Sequence, residues 1–239
     1  MLAPLFYGLR AIFQSAPLLW SAPLAQNETR LALLRKLWDC DDLRDQDGID
    51  HLCLLFKEEN SLPQTAPPSA PLAVYAVTVS GYDNGAMWSG PVRGWHLKRI
   101  KALKQRGLIV MAFCIEDEND LKTRTEDAQA QWGRPVALLD ALGHGEMPFN
   151  PIHLPALAAG SHVILEACKA GIEYGLAQPL AQQNPTATVW AHQDPLGHSQ
   201  PIFEIRDGRV DVRGVLCRTG ALSWLWGAQM RPYKASQRT

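Results

Sequence analysis

An α/β fold is predicted for this chain: a mostly parallel central sheet flanked by helices on both faces, with a small helical segment at the N-terminus. Three observations predict it. From Leu72 onward, short β-branched apolar runs alternate with longer polar stretches of helical period. Three of these runs stop at Gly81, Gly143 and Cys168, and strands alternating with helices indicate parallel β-α-β units. The first sixty residues carry only helical patterning, and Ser61 to Pro71, with four prolines in eleven residues, reads as an extended linker. The division is therefore 1–60 helical segment, 61–71 linker and 72–239 α/β domain.

In chain order, Leu2, Leu5, Phe6, Leu9, Ile12 and Phe13 follow the i, i+3, i+4, i+7 rule of a helix with one apolar face. Arg10 and three prolines break the run, and no basic region precedes it, so it reads as a docking helix for a partner or for the domain rather than an export signal. A second helix follows the N-cap candidate Asn27, and a third apolar run spans His51 to Phe56. Leu72 to Ser80 is the first strand, and a basic helix covers Trp95 to Arg106. Leu108 to Ile115 is the second strand. A polar helix from Asp117 to Trp132 is closed by Gly133, and Val136 to Leu142 is the third strand. A short helix is expected near Leu154 to Ala159, then a fourth strand from Ser161 to Ala167. Tyr174 to Gln183 is helical, with a late start or kink at Pro179. Thr186 to Ala191 is the fifth strand, and Pro201 to Cys217 is a hairpin turned at Asp207-Gly208.

Composition removes several functions. Lys and Arg number 23 against 24 Asp and Glu, so there is no basic excess for nucleic acid. With 46% hydrophobic residues and a net charge of −1, the chain is not a disordered one. No apolar run reaches the ~20 residues of a transmembrane helix. The five cysteines (Cys40, Cys53, Cys114, Cys168 and Cys217) are odd in number and lack a C-x-x-C pair. That pattern points away from a disulfide framework or zinc ribbon and toward a reducing, cytoplasmic setting, with a secreted or exported effector as the alternative.

In parallel sheets chemistry collects at the carboxyl ends of the strands. Two consecutive strands end in Gly143-His144-Gly145 and in Glu166-Ala167-Cys168. If these strands are neighbours, their ends lie about 5 Å apart. An imidazole there can deprotonate the thiol or protonate a leaving group. Gly145, without a Cβ, lets its backbone N–H approach a developing oxyanion, and the Cys168 N–H is a second donor.

Gly143-His144-Gly145 and Glu166-Ala167-Cys168-Lys169-Ala170-Gly171 resemble the His-Gly and Ala-Cys signatures of the caspase-hemoglobinase fold, which includes caspases, metacaspases and legumains. The strand order resembles it over about Leu72 to Thr219, and the sharpest likeness is to the Glu-Ala-Cys string of legumains. The resemblance implies a caspase-like cysteine endopeptidase in which Cys168 attacks the scissile carbonyl, His144 moves the proton, and Gly145 with Cys168 forms the oxyanion hole. In one respect the sequence departs from the family: 24 positions separate His144 from Cys168, fewer than in caspases and legumains. The resemblance also puts Glu166 in the pocket for the residue preceding the cut, joined by Asp83 and Asp194 from neighbouring loops. Three carboxylates there favour a basic side chain, with an Asn-directed pocket as the competitor. No cofactor or metal is implied; the partner is a protein or peptide substrate. The alternative is a catalytically inactive caspase-like binding or assembly module.

Other features read as structural. His153, His162, His192 and His198 lack metal-ligand spacing and are expected on the surface or hydrogen-bonded in the core. The glycine-rich stretch Gly81 to Gly90 lacks a phosphate-loop pattern and suits a substrate loop. Lys98, Arg99, Lys101, Lys104 and Arg106 are expected to form a solvated helix face. Cys114 is expected in the strand core.

Overall fold

The computed structural model describes residues 46–64, 66–79, 90–143, 157–166, 170, 176–192, 198–218 and 228–235. The first two helical patterns, Asp83, His144, Gly145, Cys168 and Asp194 lie outside the described residues.

In chain order the elements are α1 (Gln46–Ser61), β1 (Leu72–Thr78), α2 (Gly90–Gln105), β2 (Ile109–Ile115), α3 (Glu118–Trp132), β3 (Val136–Leu142) and β4 (His162–Glu166). They continue with α4 (Ala177–Gln183), β5 (Thr188–Ala191), β6 (His198–Arg206), β7 (Arg209–Arg218), β8 (Ala228–Gln229) and β9 (Arg231–Tyr233). Six strands form one sheet in the order β2-β1-β3-β4-β5-β9. The first five run parallel, and β9 closes the edge antiparallel to β5. Strands β6, β7 and β8 make a separate antiparallel sheet.

The central strands are buried on both faces, which is why their sequences are continuous apolar runs rather than alternating ones. On one face Ala73, Tyr75 and Val77 of β1 and Ile164 of β4 pack under Leu52 and Phe56 of α1, Ile100 and Leu103 of α2, and Phe203, Val210 and Val212 of the hairpin. On the other, Val74, Ile109, Leu139 and Val163 meet Leu121 and Ala128 of α3 and Leu180 of α4.

Local signals act as expected at several points. Asp117 caps α3 by accepting from the Asp120 N–H at 2.9 Å, and Gly133 ends it in the left-handed conformation. Helix α4 starts late, at Ala177, which puts Pro179 in its first turn, where a missing N–H costs nothing. The hairpin turns through Asp207 and Gly208, both at positive φ, as a type I′ turn requires.

Two expectations change. The described part of the short helix expected near Leu154 to Ala159 is a loop. There the Ala158 N–H donates to Val136 O (2.9 Å) and the Gly160 N–H to Thr186 O (2.8 Å), drawing the backbone onto the ends of neighbouring strands. The proline-rich stretch is docked rather than free. Ala70 is buried, and α1 before it shares the central core. The helix runs antiparallel to β2 and covers its outer edge: the Asn60 amide exchanges two 2.8 Å hydrogen bonds with Ala112, and Gln64 does the same at 3.4 Å with Val110. Among the described residues no helix is long and apolar enough to cross a membrane.

Candidate functional site

Because β1, β3, β4 and β5 are parallel, their carboxyl ends share one rim of the sheet. At its centre β3 and β4 are direct neighbours, with Leu142 opposite Glu166. The Gly143 N–H donates to Glu166 O at 3.2 Å, and Thr78 Oγ1 of β1 donates to Leu142 O at 3.0 Å. Gly143 is the residue before His144, and Glu166 stands two before Cys168. The chain thus leaves the sheet toward His144 and toward Cys168 from adjacent, hydrogen-bonded points. Thr78, the last residue of β1, and Ala191, the last of β5, end their strands on the same rim, ahead of Asp83 and Asp194 in the chain.

Directly beneath the rim lies a buried charged cluster that sequence reasoning missed. Arg99 of α2 reaches onto one face of the sheet: its Nε donates to Asp140 Oδ2 (2.8 Å), Nη2 to Glu166 Oε1 (3.0 Å), and Nη1 to the Ser199 carbonyl of β6 (3.0 Å). The Ser199 hydroxyl donates to the same Glu166 oxygen. Asp140 is fully buried, and its Oδ1 has no hydrogen-bond partner among the described residues. Burial pushes the Asp140 carboxyl up to about 7; Arg99 pulls against that, while nearby Glu166 adds to it. Burial opposes the charge of Arg99 as well, but Asp140 and then Glu166 outweigh it and hold the guanidinium pKa above its ordinary value.

Tyr75, opposite Asp140 in the β1–β3 register, extends this cluster. Its hydroxyl lies 2.6 Å from His96 Nδ1. Burial, then Glu166 and Asp140, hold the phenol far above its ordinary pKa. Tyr75 therefore keeps its proton.

Glu166, expected as a pocket residue, is buried with one carboxylate oxygen taken by Arg99 and Ser199. Two acidic side chains thus share one guanidinium. The basic run of α2 also divides. Lys98 and Lys101 are in contact with solvent, whereas Arg99 is buried, Lys104 donates to Glu59 O at 2.8 Å, and Arg106 sits 5.1 Å over the Phe203 ring. A sequence signal for this existed. Asp140 is a lone acid inside the apolar string Val136 to Leu142, and Arg99 falls at helical spacing with His96, Ile100 and Leu103.

No family model, curated protein or solved structure matches the chain. The rim geometry therefore stands on its own.

Among the described residues no group of three or more metal-ligating side chains comes together. His162 is a core residue: Trp190 Nε1 donates to its Nδ1 at 3.1 Å, and burial lowers its pKa. A surface cleft of about 570 Å³ lined by Gly160, His162, Arg206, Arg209 and Asp211 opens at the opposite end of β4 from the rim.

Proposed function

We propose that this chain is a cysteine endopeptidase of the caspase-like type, acting through Cys168 and His144. One observation carries the reading: the parallel pairing of β3 with β4, closed by the 3.2 Å bond from Gly143 to Glu166. It starts the two signature strings from neighbouring points on the rim where α/β sheets hold their chemistry. His144 follows Gly143 by one residue and Cys168 follows Glu166 by two, so the chain sets out for both from neighbouring points of the rim, with consecutive Cα atoms about 3.8 Å apart.

In the proposed reaction the Cys168 thiolate attacks the scissile carbonyl carbon. The N–H groups of Gly145 and Cys168 receive the developing oxyanion, and His144 protonates the departing amine. Water, deprotonated by the same imidazole, then hydrolyses the thioester. A preference for a basic residue before the cut rests on Asp83 and Asp194. Glu166 serves it through its place beneath the rim, with Arg99 already holding one of its oxygens.

Site-resolved alkylation tests the dyad. Iodoacetamide should label Cys168 at least tenfold faster than Cys114 at neutral pH, and His144→Ala should remove that advantage. Equal, slow labelling of Cys168 in both proteins would instead favour a non-catalytic assembly module on the same fold.

A further inference from the structure

The seam between α1 and the edge strand β2 holds a second chemically capable pair. Cys53 of α1 and Cys114 of β2 are both free thiols that face each other across the seam: Cys53 lies two helical turns before Asn60 on the same face of α1, and Cys114 lies two residues beyond Ala112 on the same side of β2. Both are half-buried. The contact is held in place from both sides. Asn60, two helical turns along from Cys53, is doubly bonded to Ala112, and Leu52 and Phe56 anchor the inner face of α1 in the core. Two thiols that face each other on fixed elements need only a small movement to reach the geometry of a disulfide.

We propose that Cys53 and Cys114 form a peroxide-reactive dithiol that closes to a reversible disulfide and pins α1 to the edge of the sheet. The Cys53 thiolate attacks one oxygen of a hydroperoxide. The O–O bond breaks, and the leaving hydroxide takes up a proton to become water (or an alcohol, from an organic hydroperoxide). Cys53 is left as a sulfenic acid. Cys114 sulfur then attacks Cys53 sulfur: the S–S bond forms, the S–O bond breaks, and the hydroxide leaves as water with the Cys114 proton. Two thiols lose two electrons and the peroxide gains them.

The order of attack follows from the surroundings. The Cys114 thiol beside it lowers the Cys53 pKa in spite of burial and Asp50, with Arg124 helping, whereas Cys114 is raised by Cys53 and by burial. Cys53 is thus the attacking thiol and Cys114 the resolving one. This dithiol is independent of the peptidase reading, since no step uses Cys168 or His144.

The test uses the full chain treated with a small excess of hydrogen peroxide, then quenched, capped with N-ethylmaleimide and digested with trypsin. Cys53 and Cys114 fall on separate tryptic peptides, 45–57 and 107–122, each with a single cysteine. The expected product is those two peptides joined and released by dithiothreitol, together with a rise in Tm of roughly 5 °C that reduction reverses. Cys114→Ser should abolish the link and leave a Cys53 sulfenic acid that dimedone traps; Cys168→Ala should change nothing. The proposal is overturned if Cys53 and Cys114 remain fully maleimide-labelled while another cysteine oxidises. It is equally overturned if Cys53 runs on to the sulfinic acid beside a reduced Cys114.

Discussion

Arg99 shows at the level of one side chain how the rim is supported. It reaches onto one face of the sheet from α2 and binds acids on two different strands, and one of them, Glu166, is the last residue of β4 before the Cys168 string. Burying three charges is costly, so their worth lies in what happens when one is lost. Replacing Arg99 with Met leaves two carboxylates buried without their cation, and urea unfolding should register a loss of about 3–5 kcal/mol. Arg99→Lys should recover little of it, since an ammonium cannot present the fork that reaches Asp140, Glu166 and Ser199 together. Asp140 adds a pH dependence. Its carboxyl lies near 3.8 when exposed and about 7 when folded, so between those values the native state holds more protons than the unfolded one. Stability from this group is therefore full at low pH and declines as pH rises toward 7. The unfolding free energy of the wild type minus that of Asp140→Asn should fall across this window and level off above it; a flat difference would show that Asp140 is ionised throughout.

Among the helices, α1 makes the most extensive contact with a strand, the edge strand β2. The Asn60 side chain stands in for a neighbouring strand by giving Ala112 both a donor and an acceptor. Asn60→Ala should cost about 1–3 kcal/mol by chemical denaturation, because two edge groups lose their partners in a half-buried place. The individual strands were legible in the sequence because each is a short apolar run bounded by breakers, and the hairpin was legible because Asp207-Gly208 demands positive φ. Strand β9 was not, since Arg231–Tyr233 has no apolar pattern and forms only by pairing with β5. The docking of 61–71 was equally hidden. Prolines forecast an extended chain, but the stretch turns at Pro67, whose carbonyl accepts from the Ala70 N–H at 2.8 Å, and Gln64 gives no sign in sequence that the chain lies along Val110.

For the whole molecule, the α/β unit is larger on its N-terminal side than the sequence suggests, because the core over one face of the sheet is completed by α1. Phe56, 1% exposed, meets Tyr75 edge-on at 6.0 Å and His96 at 5.9 Å. Phe56→Ala should therefore lower stability by about 3–5 kcal/mol, the cost of a core cavity, whereas a separate appended helix would leave the main unfolding transition unmoved. That the strands run parallel was legible from the alternation of strands and helices, whereas the order that makes β3 and β4 neighbours was not, since alternation leaves the strand order open. The charged layer below the rim was hidden too, because it joins Arg99, Asp140, Glu166 and Ser199 from four elements, up to 100 positions apart in the chain.

The central claim, that these two strings form a peptidase site, is tested most directly by incubating a mixed peptide library with wild type and with Cys168→Ala, then identifying the cut sites by mass spectrometry. The account predicts cuts by the wild type alone, clustered after Arg or Lys. Cuts after Asn or Asp would keep the enzyme and discard the acidic pocket, and identical spectra from the two proteins would contradict the claim.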